Sequence, residues 1–254
     1  WSANMTLILA HRGYLVNGDP ENSLPAFQTA IHFGADGLEF DVHLTADRKF
    51  VCYHDDSLSK LGRSDFIKNI PLNELKSIEL SEGVYIPSLE EILENFGNKT
   101  TLNIELKTKK NGVKELVDII NQFNLIKDPN NIIVSSFHSS QLAKIKEFDF
   151  EIPTGLLFEF ARGKLKKAHR LRCDAIHPYY GNVPKILSSI HKYYAHKCIE
   201  KSRKLGILTN PYGANSKQFL KSAFKRRVNG IITDNVEKAL EIREEFSHNK
   251  IHNY

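Results

Sequence analysis

The stretch Asp36-Gly37-Leu38-Glu39-Phe40-Asp41-Val42-His43-Leu44-Thr45 alternates without a break. As an extended strand it turns Leu38, Phe40, Val42 and Leu44 to one face and Glu39, Asp41 and His43 to the other. The apolar face demands a core. The acidic face carries two carboxylates about 7 Å apart, which repel each other unless positive charge lies between them. Such a strand belongs in a sheet covered on one side and enclosing a cleft or lumen on the other, with a divalent cation as the economical counter-charge.

The pattern recurs in Thr101-Leu102-Asn103-Ile104-Glu105-Leu106-Lys107, where Asn103, Glu105 and Lys107 oppose Leu102, Ile104 and Leu106. Glu105 supplies a third oxygen ligand beside Glu39 and Asp41, and Lys107 a cation for a phosphate. Hard oxygen donors, with no Cys/His array at zinc spacing, point to Mg²⁺ or Ca²⁺. Upstream, the apolar run Met5–Ala10 ends in His11-Arg12-Gly13, which joins a proton carrier, a planar fork for phosphate and a glycine for a sharp turn. Downstream, the polar turn Thr45-Ala46-Asp47-Arg48 leads into Lys49-Phe50-Val51-Cys52-Tyr53-His54-Asp55-Asp56, a hairpin that returns His54 toward the carboxylates. Two histidines near acidic groups can divide the roles of general base and general acid.

Short β-branched runs alternate with amphipathic stretches along the rest of the chain. The spacing predicts strands at Leu7–Ala10, Gly37–Leu44, Leu102–Leu106, Ile132–Ser136, Thr154–Phe158, Ala175–His177, Gly206–Thr209 and Gly230–Thr233. Helices follow at Leu24–Phe33, Leu89–Phe96, Val113–Phe123, Ser140–Phe148, Gly163–Leu171, Lys185–Lys204, Lys217–Lys225 and Val236–Phe246. Eight strands with eight helices make an α/β protein of the (β/α)8 TIM barrel class, with a doubly wound open sheet as the alternative. In a barrel, His11, Glu39, Asp41, Glu105 and Lys107 all fall at the C-terminal ends of strands, the face that holds active sites. Ser135, Ser136, His177, Asn210 and Asp234 occupy equivalent positions. Residues 57–86 interrupt the rhythm after the second strand; with short helical signals such as Leu72–Ile78 and no core of their own, they read as an insertion over the barrel mouth. Residues 5–254 are thus expected to form one domain, and Trp1–Asn4 ahead of Met5 to be a cloning remnant.

Composition narrows the partners. The chain carries 35 Lys and Arg against 30 Asp and Glu, a net +5, with basic runs at Lys164–Arg172 and Lys221–Arg227. These read as solvated helix faces, with an anionic substrate or phospholipid surface as the alternative; they lack the aromatic interleaving of a single-stranded nucleic-acid groove, so no nucleic-acid partner is expected. Cys52, Cys173 and Cys198 are odd in number and scattered, which fits a reducing, cytoplasmic compartment. No stretch has the length of a signal-peptide core or a membrane span, so no stable membrane insertion is expected. Nothing in the pattern fixes an oligomeric state.

Taken in order, His11-Arg12-Gly13, Pro20-Glu21-Asn22-Ser23, Glu39-Phe40-Asp41-Val42, His54-Asp55, Pro87-Ser88-Leu89-Glu90-Glu91, Asn103-Ile104-Glu105-Leu106-Lys107 and Gly230-Ile231-Ile232-Thr233-Asp234 resemble the glycerophosphodiester phosphodiesterases over nearly the whole chain. The resemblance implies metal-dependent hydrolysis of a small glycerophosphodiester to sn-glycerol 3-phosphate and an alcohol, in lipid and glycerol metabolism. It implies His11 and His54 as catalytic, Arg12 and Lys107 on the phosphate, Glu39, Asp41 and Glu105 on one Mg²⁺ or Ca²⁺, and Glu21 and Asn22 in support. Members of the family commonly carry a tryptophan after the seventh strand, where this chain has Ile207-Leu208-Thr209-Asn210-Pro211-Tyr212; Tyr212 is the expected substitute in the pocket. A related lipid phosphodiesterase of phospholipase D type, typically secreted and disulfide-bonded, fits these cysteines less well. A non-catalytic phosphate-binding barrel would be expected to lack a histidine or ligand, and none is lacking.

Overall fold

A computed structural model describes residues 5–15, 18–128, 131–183 and 185–251. Eight parallel strands form a nearly closed barrel. Counting barrel elements only, β1 is Leu7–His11, β2 Gly37–Leu44, β3 Thr101–Leu106, β4 Ile132–Ser136, β5 Thr154–Phe158, β6 Ala175–Pro178, β7 Leu208–Thr209 and β8 Gly230–Thr233. The intervening helices are α1 Leu24–His32, α2 Leu89–Phe96, α3 Val113–Gln122, α4 Ser139–Phe148, α5 Lys164–Arg170, α6 Lys185–Lys204, α7 Lys217–Lys225 and α8 Val236–Ile251. From β1 to β7 each strand pairs with its sequence neighbour, and β1 pairs with β8, so the ring is open only between β7 and β8 and the open-sheet alternative is set aside.

Alternation places the chemistry. Ile8, Ala10, Leu38, Phe40, Val42, Leu102, Ile104 and Leu106 join the buried layer between sheet and helices. Their neighbours in sequence face the lumen. Register then sets the rows: His11 lies opposite Glu39 and Glu39 opposite Asn103, while one step toward the mouth Asp41 lies opposite Glu105 and Glu105 opposite Ser135. Residues far apart in sequence are therefore brought level by strand pairing alone.

Helix starts follow from local chemistry. Ser23 caps α1 by accepting from Ala26 N, and Pro25 fits the first turn, where its missing N–H costs nothing. Pro87-Ser88-Leu89-Glu90-Glu91 is a capping box: Ser88 Oγ accepts from Glu91 N at 3.2 Å, and the Glu91 carboxylate accepts from Ser88 N at 2.9 Å. That motif starts α2 and does no chemistry.

Two expectations are corrected. The seventh strand was expected at Gly206–Thr209 but is only Leu208–Thr209, because Gly206 turns the chain out of α6 with φ +69°. The seam there is closed irregularly, by Tyr212 bridging to Ile232 and by Asn229 N donating to Thr209 O at 2.9 Å. The segment 57–86 does have an apolar cluster: Leu58, Ile67, Ile70, Leu75 and Ile86 bury themselves against Val51 and Tyr53 of the β2 hairpin. Its apolar residues are too unevenly spaced to announce this, and the hairpin supplies part of the packing.

Candidate active site

His11 ends β1, and the chain then turns through Arg12, at φ +58°, and Gly13, at φ +96°. Any side chain at Gly13 would overlap Ala26 of α1, at 2.6 Å from Cβ to Cβ, so the turn needs glycine. The turn lays the Arg12 guanidinium over the carboxylates, with Nε 3.2 Å from Asp41 and Nη1 donating to Glu21 at 2.9 Å. Asn22, also left-handed at φ +59°, grips Asp41 from both sides: its Nδ2 donates to Asp41 Oδ2 at 2.9 Å and its Oδ1 accepts from Asp41 N at 3.2 Å. The Pro20–Ser23 motif thus orients Arg12, fixes Asp41 and caps α1.

Glu39, Asp41 and Glu105 present carboxylate oxygens within 4.8 Å of one another, all buried. Lys107 Nζ lies 3.1 Å from Asp41 and 3.0 Å from Glu105. Burial, opposed by Lys107 and Arg12, leaves Asp41 below the usual carboxylate range. Burial together with Asp41 holds Glu105 above it, against Lys107. Burial together with Asp41 and Glu105 pushes Glu39 up to about 8, against the pull of His11 and Arg12. Three buried carboxylates thus face two fixed cations, and the cluster is short of positive charge. Glu39 Oε2 is buried without a hydrogen-bond partner. Oxygen-only donors at this spacing fit a hard divalent cation, whose ligands stand about 2.0–2.6 Å from the ion.

Each of the two histidines has a carboxylate at Nδ1. His11 Nδ1 lies 2.5 Å from Asp234 Oδ1, and Asp234 is itself held by Asn215 Nδ2. His54 Nδ1 lies 2.5 Å from Asp55 Oδ1, and Asp55 pairs with Lys60, which also reaches Glu21. Fixing Nδ1 leaves Nε2 of each ring for the cleft; that of His11 is 3.8 Å from Glu39. Burial depresses the basicity of His11, but Glu39 and Asp234 outweigh it and hold the ring above the usual histidine value. For His54, burial, assisted by Lys107 and Arg12, prevails over Asp41 and lowers it.

A cleft of about 410 Å³ brings together His11, His54, Arg12, Lys107, Glu39 and Glu105. Tyr212, Tyr179 and Phe137 border it as an aromatic wall, with ring centres 5.2 Å and 6.1 Å from Tyr212. A second hollow of about 500 Å³ adjoins it through His54, Glu105 and Lys107 and is edged by Ser57 and Ser59 of the insertion.

Of the residues singled out from sequence, His11, His54, Arg12, Lys107, Glu39, Glu105 and Tyr212 line this cleft, while Asp41, Glu21 and Asn22 lie directly behind it. His43 is no part of the acidic row: its Nε2 meets the backbone carbonyl of His54 at 3.0 Å and positions that loop. His177 lies in the lumen against Gly155, outside the cleft lining, and burial holds it near 3, hence neutral. Asp234 was one of five equivalent strand ends; only barrel closure, which sets β8 beside β1, singles it out. Phe137 and Tyr179 carried no signal in the sequence.

A glycerophosphoryl diester phosphodiesterase family model matches residues 11–238, and the chain belongs to that family. It is 31% identical over 253 residues to a glycerophosphodiester phosphodiesterase of Caldanaerobacter subterraneus subsp. tengcongensis, covering 93% of this chain and 97% of the relative. A crystal structure of glycerophosphodiester phosphodiesterase from Thermotoga maritima superposes with a TM-score of 0.77 at 28% identity, over 94% of this chain and 99% of that one. The fold is also that of an Oleispira antarctica phosphodiesterase solved in complex with the product sn-glycerol-3-phosphate, with a TM-score of 0.77, 21% identity, and coverage of 94% and 97%.

Proposed function

We propose that this chain hydrolyses glycerophosphodiesters to sn-glycerol 3-phosphate and an alcohol, with Glu39, Asp41 and Glu105 holding one Mg²⁺ or Ca²⁺. The observation that carries the reading is the convergence of two carboxylate-backed imidazoles, two cations and a charge-deficient acidic triad on one cleft. When bound, the cation supplies charge to the phosphoryl oxygens and lowers the pKa of a coordinated hydroxyl. Arg12 and Lys107 neutralise the remaining phosphate charge as the transition state forms. One imidazole takes the proton of the attacking oxygen, from water or from the substrate's own glycerol hydroxyl, as it bonds to phosphorus; the other protonates the alcohol oxygen as the old P–O bond breaks. On the second route water then opens the cyclic phosphate to glycerol 3-phosphate. The local charges favour His54 as the base and His11 as the acid.

The aromatic wall would pack the carbon skeleton of the substrate, with Tyr212 in the tryptophan's place. In this reading the chain works as one barrel domain, with residues 57–86 bordering the mouth, which the place of Ser57 and Ser59 beside His54 supports. Three free, buried thiols fit the proposed cytoplasmic setting, and no helix of the described residues is long and apolar enough to cross a membrane. The complex of the Oleispira antarctica phosphodiesterase with sn-glycerol-3-phosphate supports the proposed product. The test is release of glycerol 3-phosphate from a panel of glycerophosphodiesters with Mg²⁺, Ca²⁺ or EDTA. Turnover that requires one of the metals and stops in EDTA is expected; no release from any diester under any condition overturns the reading.

A further inference from the structure

Between Arg162 and Arg227 the chain carries 17 Lys and Arg against two acidic residues, Asp174 and Glu200; all other positions together carry 18 against 28. A modest net charge of +5 therefore conceals a segment of +15, which contains α5, α6 and α7, and a remainder of −10. Solvation alone gives no reason to sort charge in this way.

The charge meets apolar surface in a groove of about 590 Å³ beside α5 and α6. Arg162, Lys166, Lys197, Lys201 and Lys204 line it, and no carboxylate does. Leu165, Cys198, Leu205 and the ring of Tyr194 provide its apolar part. Next to it Ile190 and Tyr193 stand 58% and 57% exposed, with Lys197 Nζ 5.3 Å from the Tyr193 ring centre. Among the described residues, Arg162, Lys166, Lys201 and Lys204 have no ion-pair partner, so their charge remains available to a ligand.

We propose that this face is a docking surface for an anionic phospholipid bilayer. Lysines with apolar stems can pair with headgroup phosphates while Ile190, Leu205 and the tyrosines enter the interfacial layer. A nucleic acid would satisfy the cations but set a polyanion over the apolar part of the groove. A second copy in a two-fold contact would oppose five cations to five cations. The surface is also placed to matter for turnover. The loop after β5 gives Glu159 to the proposed catalytic cleft and Ala161 and Arg162 to the groove, so a single loop links the two.

The experiment is co-sedimentation of the full chain with vesicles of phosphatidylcholine, alone or with about a third phosphatidylglycerol, at about 0.05 M and about 0.5 M salt. Binding to the anionic vesicles only, weakened by salt, is expected. The triple reversal Lys166→Glu, Lys197→Glu, Lys201→Glu should weaken partition by about 100-fold or more. The same reversal at the exposed Lys68, Lys127 and Lys144 should change it less than about threefold. Tyr193→Ser with Leu205→Ser should remove the binding that survives high salt. Turnover of a soluble diester, unchanged in each variant, reports folding; should the glutamates disturb it, Lys166→Gln, Lys201→Gln, Lys204→Gln replaces them. Equal binding to neutral vesicles, equal loss in both triple reversals, or binding to an oligonucleotide but not to vesicles overturns the proposal.

Discussion

The imidazole of His11 meets the carboxylate of Asp234 at 2.5 Å across the junction of the first and last strands. The contact fixes the ring's orientation and raises its basicity, and it exists only because the barrel closes. Asp55 does the same for the orientation of His54, but there burial prevails and basicity falls.

These opposite shifts predict a bell-shaped dependence of kcat on pH. The base must be neutral, so activity rises as pH passes the lowered His54 value, below 6.5; the acid must be protonated, so activity falls as pH passes the raised His11 value, above 6.5. Asp234→Asn removes part of what raises His11, so the descending limb should move to lower pH and the rate should drop by about tenfold or more. An unmoved limb would show that Asp234 does not tune His11.

His11→Ala and His54→Ala should each lower kcat by roughly 10²-fold or more. Since both act in one proton-transfer sequence, the double variant should be much less impaired than the product of the single effects. A diester with a nitrophenolate leaving group needs little protonation. It should rescue the variant lacking the acid, His11→Ala on the charges described, and leave the variant lacking the base impaired. Equal rescue of both variants would refute the division of roles.

Metal binding should compete with protons at the triad. Glu39 has a reference value of 4.5 and is raised to about 8, so without metal the folded state binds more protons than the unfolded chain between those values. Stability of the metal-free protein therefore falls as pH rises through that window, and the cation restores it. The rise in Tm on adding Mg²⁺ or Ca²⁺ should grow from pH 5 to pH 8, in proportion to the deprotonation it drives. Glu39→Gln should abolish most of that growth, as measured by differential scanning fluorimetry.

Arg12→Lys keeps the charge but cannot reach both Asp41 and Glu21 with one planar fork. Steady-state kinetics should show kcat/KM reduced by about 10-fold or more, with Tm within about 2 °C of the parent. Parental kinetics would assign Arg12 a purely structural role.

β2 and β3 were legible because a lumen lined with charge and an outer face packed on helices impose opposite chemistry on alternate residues. The proposed metal triad came with them, since its three members follow that alternation. What escaped is what pairing brings together from a distance. Asp234 lies 223 residues from His11, and no local pattern links them. The same holds for the aromatic wall, where Phe137, Tyr179 and Tyr212 come from three different loops. His43 shared the acidic face by alternation, yet the hairpin turns it to the carbonyl of His54. At the seventh strand the apolar run was real, but a glycine turn consumed half of it.

The seam between β1 and β8 has a consequence for the order in which the nascent chain acquires its abilities. The three proposed acidic ligands come from β2 and β3, within the first 105 residues, whereas the partner of His11 lies on the last strand's edge. On the proposed ligand set, ion capture is expected once β2 and β3 are paired, and turnover only after the C-terminal strand has docked. Under the proposed mechanism catalytic activity would report complete ring closure, and a refolding reaction followed by metal binding and by turnover in parallel would time the two events separately.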